Sequence, residues 1–314
     1  MTLSPRVSRL RAPNPSPMTL DGTNGYIVDG GNDQWVAIDP GPDIAAHVAA
    51  FVDAAAQRNA IFAGILVTHG HPDHFPAAAA LARATGAPVI AHPDAAFPHD
   101  QALADGEAFA FGTTAVAALH APGHARDHLV FVLDDERALF TGDVVLGTGT
   151  VVIAPPGGDM RAYQRTLHRL RDDYGDAAAI YGGHGPEVRN VRATLDFYIA
   201  HREAREAAIV AELATRAQTI PALVATIYRD VDPRLWPAAA RQILAYLLAL
   251  EREGRVSATE LDREPTPDER ALLDPDLSKI ADPETAAVAR AELGYGSGPP
   301  QLLRYAMRST TLPN

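Results

Sequence analysis

Four metal-binding side chains fall within six consecutive residues of this 314-residue chain. Residues 69–74 read His-Gly-His-Pro-Asp-His and follow the apolar run at residues 63–67 and Thr68. Such a run predicts a buried strand, and polar side chains at its end are costly to bury without partners. Imidazole and carboxylate groups together are the ligands that a borderline divalent ion prefers. The pattern therefore predicts a metal site at the end of a buried strand, and a His-rich surface loop is the alternative.

Three later segments repeat this arrangement, in which an apolar stretch ends with one ligand-type side chain beside glycine. They are residues 115–124 with His124, residues 138–143 with Asp143, and residues 178–185 with His184. Glycine lets the backbone approach a crowded ion closely or adopt a positive φ. We therefore expect these side chains to meet at one shared edge of one sheet system.

Together these motifs resemble the five-part signature of the metallo-β-lactamase superfamily over about residues 20–190. The matching sequences are His69-x-His71-x-Asp73-His74, Pro122-Gly123-His124, Thr141-Gly142-Asp143 and Gly183-His184-Gly185. Residues 22–28 and 35–41 resemble the first hairpin of that fold, which ends in the family's buried aspartate, here Asp39. The resemblance implies a mixed α/β fold, an αββα sandwich. We expect Asp39 to support a ligand histidine from outside the metal centre or to be architectural.

The resemblance also implies how metal would be bound. It assigns His69, His71 and His124 to one metal and Asp73, His74 and His184 to a second, with Asp143 bridging. Two divalent ions roughly 3.5–4 Å apart lower the pKa of a shared water and polarise an incoming carbonyl or phosphoryl oxygen. We expect zinc, with iron or manganese as alternatives, and we expect Asp73 to orient the resulting bridging hydroxide as the catalytic residue.

The residue types narrow the class of reaction. The chain contains no cysteine and no Gly-x-Ser-x-Gly segment, so neither a thiolate nucleophile nor a serine-hydrolase elbow is available. A bridging carboxylate at Asp143 resembles glyoxalase II, lactonases, thioesterases and RNase Z-like nucleases more than true β-lactamases. We expect hydrolysis of a thioester, ester or lactone in a small or carrier-linked acyl substrate. The alternatives are an endoribonuclease or phosphodiesterase, a β-lactamase, and a non-catalytic metal-binding module.

Three further residues are candidates for substrate contacts. His92 ends a predicted strand beside the one that carries the metal motif. Thr148 and Thr150 lie in the Gly- and Pro-rich segment 144–160, which starts directly after Asp143 and must run past the metals. Their hydroxyls could hold a carbonyl or phosphate, and a rigid connecting loop is the alternative. The other histidines are expected on the surface or in the core.

The organisation of the chain changes after residue 190. We predict an N-terminal extension at 1–18, a catalytic domain at 19–190, a helical module at 191–264 and a C-terminal extension at 265–314. The module resembles the small winged-helix-like domain of the lactamase-β-like subfamily, which includes a mitochondrial endoribonuclease and fungal polyketide thioesterases. Its 10 arginines against 11 acidic residues argue against nucleic acid as a partner. Trp236 and Tyr228 are expected to anchor its core.

The overall composition limits the remaining possibilities. The net charge is −12, and residues 1–189 carry 12 arginines against 21 acidic residues. No signal peptide or membrane-length apolar run is present, and the absence of cysteine fits a reducing compartment, so we expect the cytoplasm and no membrane partner. The 265–314 extension, with a helix predicted at 282–293, is expected to wrap the core, to wrap a partner subunit or to remain mobile at its end, which leaves a homodimer open.

Overall fold

The computed structural model describes residues 1–276, 290 and 302–308, and the chain divides into two compact units. The first unit comprises residues 1–151 and 166–196, and the second comprises residues 152–165 and 197–314. The predicted helix at 282–293 lies outside the described residues except for residue 290. The domain boundaries expected from the sequence remain a prediction.

A mixed six-stranded sheet forms one layer of the first unit. Its strands follow chain order: β1 (Val7–Arg11), β2 (Asn24–Asp29), β3 (Gln34–Ile38), β4 (Ile61–Leu66), β5 (Val89–Ala91) and β6 (Gln101–Ala102). The first three pair in antiparallel fashion, and β3 to β6 run parallel. Strand β1 was not expected, because the sequence analysis assigned residues 1–18 only to an extension.

A five-stranded sheet forms the other layer, in the order β11, β10, β9, β8, β7. The strands are β7 (Ala108–Phe111), β8 (Thr114–His120), β9 (Leu129–Leu133), β10 (Ala138–Gly142) and β11 (Ala179–Gly182). Every residue of the sequence LVFVL in β9 is buried, as expected of a strand covered on both faces. Strands β10 and β11 run parallel, so the loops that follow them leave the sheet at the same edge.

Two apolar layers hold the first unit together. Side chains from both sheets share one core, with Tyr26 and Leu66 from the first sheet and Phe131, Phe140 and Tyr181 from the second. The outer face of the first sheet packs against helices α1 (Ala45–Ala56) and α2 (Ala77–Thr85) in a second core. Helix α2 ends at Gly86, whose φ of 75° suits glycine in a left-handed cap. Helices α3 (Met160–Tyr174) and α4 (Val191–Thr215) contain residues of both units.

The second unit has the helices and wing expected of a winged helix. Helix α5 (Ile220–Ile227) follows the short strand β12 (Gln218–Thr219), and Thr219 caps it by accepting the N–H of Ala222. Helix α6 (Trp236–Arg252) leads into β13 (Val256–Glu260), and α7 (Pro267–Leu273) follows. Strand β14 (Leu303–Met307) pairs with both β12 and β13. Trp236 and Tyr228 are half-buried, and the Trp236 Nε1–H donates to the carbonyls of Tyr228 and Val231 at 3.1 Å.

Within the part of the chain that the structure describes, no helix is long and apolar enough to cross a membrane.

Candidate metal centre

The seven predicted ligands lie on loops that follow strands of both sheets of the first unit. The motif 69–74 follows β4, and the other three residues follow β8, β10 and β11; they are His124, Asp143 and His184. The predicted meeting at one edge therefore involves two sheets that share a core, because β4 belongs to one sheet and the remaining strands to the other.

The structure brings all seven side chains together. Ligand atoms within 4.8 Å of one another form three groups: His69, His71 and His124; His69, His74 and Asp143; Asp73, His74 and His184. We call the first group the imidazole cluster and the third the carboxylate cluster. The middle group shares one histidine with each of these clusters and adds Asp143, the position at which a bridging carboxylate is predicted. His71 is half-buried and the other six residues are buried, so the centre is accessible on the His71 side.

Short distances join Asp143 and Asp73 to the surrounding imidazoles. His184 Nε2 lies 3.2 Å from Asp73 Oδ2 and 3.4 Å from Asp143 Oδ2. His74 Nε2 lies 3.4 Å from Asp73 Oδ2 and 3.5 Å from Asp143 Oδ1. In the imidazole cluster, His124 Nε2 lies 2.8 Å from His71 Nδ1 and 3.8 Å from Asp143 Oδ2.

Two glycines make this crowding possible. A Cβ on Gly183 would lie 2.4 Å from Asp143 Oδ1 and 2.7 Å from His74 Cε1. A Cβ on Gly142 would lie 2.5 Å from Thr68 Oγ1, and the φ of Gly142 is +44°. All three contacts are shorter than a side chain tolerates, so the glycines beside the predicted ligands provide space at the centre.

Asp39 supports the centre from outside it. Its carboxylate accepts hydrogen bonds from the Thr68 N–H at 2.7 Å, from Thr68 Oγ1 at 2.7 Å and from His74 Nδ1 at 2.9 Å. A carboxylate on the far ring nitrogen fixes the tautomer, so that His74 Nε2 faces the cluster with its lone pair when metal binds. Thr68 Oγ1 also lies 3.0 Å from His69 Nδ1. Asp39 therefore supports a ligand histidine directly, one of the two roles expected for it.

His128 is fully buried between His69 and Asp143. Its ring stacks on that of His69 with centroids 4.5 Å apart and an interplanar angle of 17°. Its Nε2 accepts the backbone N–H of Asp143 at 3.1 Å. Because Nε2 accepts, the neutral ring carries its proton on Nδ1. Burial lowers the pKa of His128 well below its ordinary value, and His124 adds to this effect.

The two clusters have opposite electrostatics. Burial lowers the pKa of His71 to about 3, and the neighbouring His124 contributes. Burial likewise lowers the pKa of His69 well below its ordinary value, helped by His74 and His128. These imidazoles are therefore neutral near pH 7 and present lone pairs, which is the form that a metal binds.

In the carboxylate cluster, attraction between opposite charges outweighs burial. Burial alone would lower the pKa of His184, but Asp143 and Asp73 raise it to about 10. Burial also opposes the charge on His74, yet Asp73, Asp143 and Asp39 raise its pKa well above the ordinary value. Both carboxyl groups would have a raised pKa from burial alone, but the two histidines hold it well below the usual range. Without metal, this cluster carries protons and both negative charges.

The donor set fits divalent metal. Five buried atoms of the predicted ligands have no hydrogen-bond partner in residues 1–276, 290 and 302–308. One is His184 Nδ1, the ring nitrogen other than the one near Asp73 and Asp143, and the other four are His69 Nε2, Asp73 Oδ1, His74 Nε2 and Asp143 Oδ1. Buried polar atoms are nearly always paired. Four such atoms in one site, all of ligand type, indicate a site shaped to coordinate ions.

The predicted substrate residues lie outside the two clusters. His92 is buried after β5, and its ring stacks on His120 with centroids 4.3 Å apart. Thr148 is exposed and Thr150 half-buried. The backbone N of Thr148 lies 3.1 Å from the position a Cβ would take on Gly185, the residue after His184. Their roles remain predictions.

Sequence reasoning missed three residues that contact the predicted ligands. Thr68, His128 and Thr23 were not singled out, although the hydroxyl of Thr23 donates to Asp73 Oδ2 at 2.8 Å. Thr68 adjoins the motif and could have been considered. No local signal marks His128 or Thr23, because their partners are distant in sequence.

Comparisons with known proteins agree with this architecture. Residues 18–184 match the metallo-beta-lactamase superfamily, and residues 219–263 match the beta-lactamase associated winged helix domain. A beta-lactamase-like protein 2 homolog from Drosophila melanogaster is 31% identical over 288 residues, which cover 83% of this chain and 95% of that protein. An atrochrysone carboxyl ACP thioesterase from Aspergillus fumigatus is 32% identical over 264 residues, covering 77% and 81%.

Among solved structures, a metallo-beta-lactamase family protein from Thermus thermophilus has the same fold. Its TM-score is 0.69 at 23% identity, and the match covers 98% of this chain and 100% of that one. The family match spans more than half of the chain, as residues 18–184 of 314. The chain is therefore a hydrolase that belongs to the metallo-β-lactamase superfamily and carries the winged helix domain associated with it.

Proposed function

We propose that this hydrolase works with two divalent ions, zinc in the first instance, and cleaves a thioester, ester or lactone in a small or carrier-linked acyl substrate. His69, His71 and His124 would hold one ion, and Asp73, His74 and His184 the other, with Asp143 between them. The observation that carries this proposal is that the three ligand groups are continuous. The middle group, which contains Asp143, shares His69 with the imidazole cluster and His74 with the carboxylate cluster. One carboxylate beside both clusters is the arrangement that two ions need.

When bound, the two ions would lower the pKa of a shared water and polarise the acyl carbonyl. The residues of the chain orient the reactants. The low pKa of Asp73 keeps its carboxylate ionised, with burial opposed by His74 and His184. Its Oδ2 is engaged by Thr23, so Oδ1 is the oxygen available to accept a hydrogen bond from the attacking hydroxide and orient it. Substrate would approach on the half-buried His71 side, with His92, Thr148 and Thr150 as candidate contacts.

Two relatives support acyl substrates. Besides the Aspergillus fumigatus protein, a thioesterase from Emericella nidulans is 36% identical over 219 residues, covering 68% of this chain and 61% of that protein. The surface chemistry of the second unit also favours an acyl substrate over RNA. Several of its arginines pair with neighbouring acids: Arg161 with Glu206 and Glu253, Arg234 with Asp232, Arg252 with Asp159 and Arg255 with Glu206. Paired arginines do not supply the clustered charge that phosphates require.

Metal content tests the two-ion part of this proposal. Protein purified without chelator and then saturated with zinc should carry close to two ions per chain by elemental analysis, because each cluster supplies its own ligands. A single tightly bound ion, with no second site under saturating zinc, would contradict it.

Paired kinetics test the substrate class. We expect hydrolysis of members of a thioester and lactone panel with little dependence on salt, because a neutral or singly charged substrate releases few counterions on binding. Single-stranded RNA should be cleaved slowly, with activity abolished by modest salt. Efficient RNA cleavage at physiological salt, together with no acyl hydrolysis, would reverse the assignment.

A further inference from the structure

We propose that Thr23, held in place by Asn14, is a positioning residue that fixes Asp73 and His184 and so determines whether the carboxylate cluster binds its metal ion. This inference rests on the two-ion function proposed above. Thr23 is fully buried, and it contacts two of the three residues in that cluster.

The hydrogen bond from Thr23 to Asp73 can run in only one direction. Thr23 Oγ1 lies 2.8 Å from Asp73 Oδ2. An ionised carboxylate only accepts, so the Thr23 hydroxyl must donate its single proton here. The lone pairs of Thr23 Oγ1 then remain available to accept from another donor.

Asn14 supplies that donor, and its orientation is also fixed. The backbone N–H of Thr23 can only donate, and it lies 2.9 Å from Asn14 Oδ1. The amide nitrogen of Asn14 is therefore on the other side, where Nδ2 lies 3.0 Å from Thr23 Oγ1. The backbone carbonyl of Asn14 in turn accepts from the hydroxyl of Thr19, which is buried. Donors thus run one way, from Asn14 through Thr23 to Asp73.

This chain of hydrogen bonds selects which oxygen of Asp73 faces the metal position. Oδ2 accepts from Thr23 and faces the other two ligands of the cluster, 3.2 Å from His184 Nε2 and 3.4 Å from His74 Nε2. Oδ1 has no hydrogen-bond partner among the residues described. Without the Thr23 hydroxyl, the carboxylate could rotate and present either oxygen. When the Asp73 carboxylate is already oriented, metal binding does not have to order it, and the affinity is higher.

The backbone around Thr23 also holds His184. Thr23 forms an isolated antiparallel bridge with His184, and the Asn24 N–H donates to the Gly183 carbonyl at 2.7 Å. These contacts concern the carboxylate cluster, whereas the supports of the imidazole cluster come from Thr68 and His128. Asn14 precedes residue 18, where the family match begins. The N-terminal segment thus contributes to the centre from outside the region matched to the family.

The test compares zinc binding by full-length Thr23→Val, Thr23→Ser and Asn14→Ala with the native chain. Valine keeps the shape of threonine and removes the hydroxyl, whereas serine retains the donor. Thr85→Val is the matched control, because the Thr85 hydroxyl donates to the Leu81 carbonyl within α2. Zinc per chain is measured by elemental analysis, affinity by competition with a chromophoric chelator, and the stability of metal-free protein by thermal unfolding.

We expect Thr23→Val to lower the affinity for one of the two zinc ions about 10–100-fold. The bound zinc should then fall from two ions per chain toward one. Thr23→Ser and Thr85→Val should bind zinc as the native chain does, and Asn14→Ala should show a smaller loss at the same ion. A purely structural Thr23 would lower the unfolding temperature of metal-free protein and leave both affinities unchanged, which would overturn the inference.

Equal weakening of both ions by Thr23→Val would also overturn it, because the role would not be confined to one cluster. If Thr23→Val fails to fold, the affinities of Asn14→Ala decide the question in the same way. The zinc content of the native chain is measured before any variant is compared. If the native chain binds fewer than two ions, the proposed two-ion function itself is contradicted.

Discussion

The imidazole cluster and the carboxylate cluster share one buried site but are maintained by different forces. In the imidazole cluster, His69 and His71 are neutral, and the ring of His69 is held by stacking on His128. The carboxylate cluster is a charged group, in which His74 donates a hydrogen bond to Asp39 and Thr23 donates one to Asp73. An ion entering the first group meets lone pairs, whereas an ion entering the second must displace protons.

This difference indicates which substitutions should affect which function. The neutral cluster should depend on ring packing and tolerate the loss of individual hydrogen bonds. The charged cluster should depend on donors and acceptors that orient its carboxylates and imidazoles. Asp39 is the exception, since it bonds His74 directly and reaches His69 through Thr68.

The largest effect is expected for Asp73→Asn. Asparagine has nearly the same shape, but it lacks the charge that is expected to bind the metal ion and orient the attacking hydroxide. We expect kcat to fall by about 10²–10⁴-fold, and the metal-free variant should fold but lose part of the stabilisation that Asp73 gives to protonated His74 and His184. Asp100→Asn is the matched control, because the Asp100 carboxylate accepts the N–H of Val89 and belongs to none of the ligand groups. Near-normal turnover of Asp73→Asn would remove this residue from the mechanism.

Asp39→Asn should weaken zinc binding at both clusters. Asp39 has a φ of +48°, which asparagine also tolerates, so the backbone should be unaffected. The amide cannot accept from both Thr68 and His74 as the carboxylate does, so we expect both zinc affinities to fall by about 10–100-fold. Chelator competition measures both ions. If the affinity falls for only one ion, the contact from Asp39 through Thr68 to His69 does not affect zinc binding at the imidazole cluster.

A smaller effect is expected at His128, where two substitutions separate its two contacts. Phenylalanine keeps a ring to stack on His69 but leaves the buried N–H of Asp143 without an acceptor, which costs about 1–3 kcal/mol. Glutamine can offer an oxygen near the position of Nε2 but removes the stacking. Denaturant unfolding of chelated protein should therefore show His128→Phe as less stable than His128→Gln. The reverse order would show that stacking is the more important contact.

The strands and the ligand motif could be predicted because their signals are local. Runs such as that of β9 and the spacing of residues 69–74 are read within a few positions, and the helix start at Thr219 is a local cap. The supporting contacts could not be predicted in this way. Thr23 lies 50 positions from Asp73, and β14 completes a sheet begun at β12, far earlier in the chain. Such contacts exist only once the sheets have packed, and no periodicity marks them.

The smallest effect concerns pH and the metal-free protein. The pKa of His184, raised to about 10 by Asp143 and Asp73 against the effect of burial, exceeds its unfolded value of about 6.5. Its stabilising contribution is complete below about pH 6.5 and is lost as pH rises toward 10. His74 has a raised pKa and follows the same direction. The histidines with lowered pKa are neutral in both states above about pH 6.5, so they do not offset this loss.

Metal-loaded protein has exchanged these protons for ions, so it should not lose this contribution. The unfolding temperature of loaded protein should therefore exceed that of chelated protein by a margin that grows between pH 6.5 and 10. We expect this difference in unfolding temperature to grow by several degrees, because 1 kcal/mol corresponds to roughly 2–4 °C for a unit of about 150–250 residues. Calorimetry of both forms across this range measures the margin. A margin that stays constant would mean that the carboxylate cluster carries no excess protons, and the contrast between the two clusters would then rest on hydrogen bonding alone.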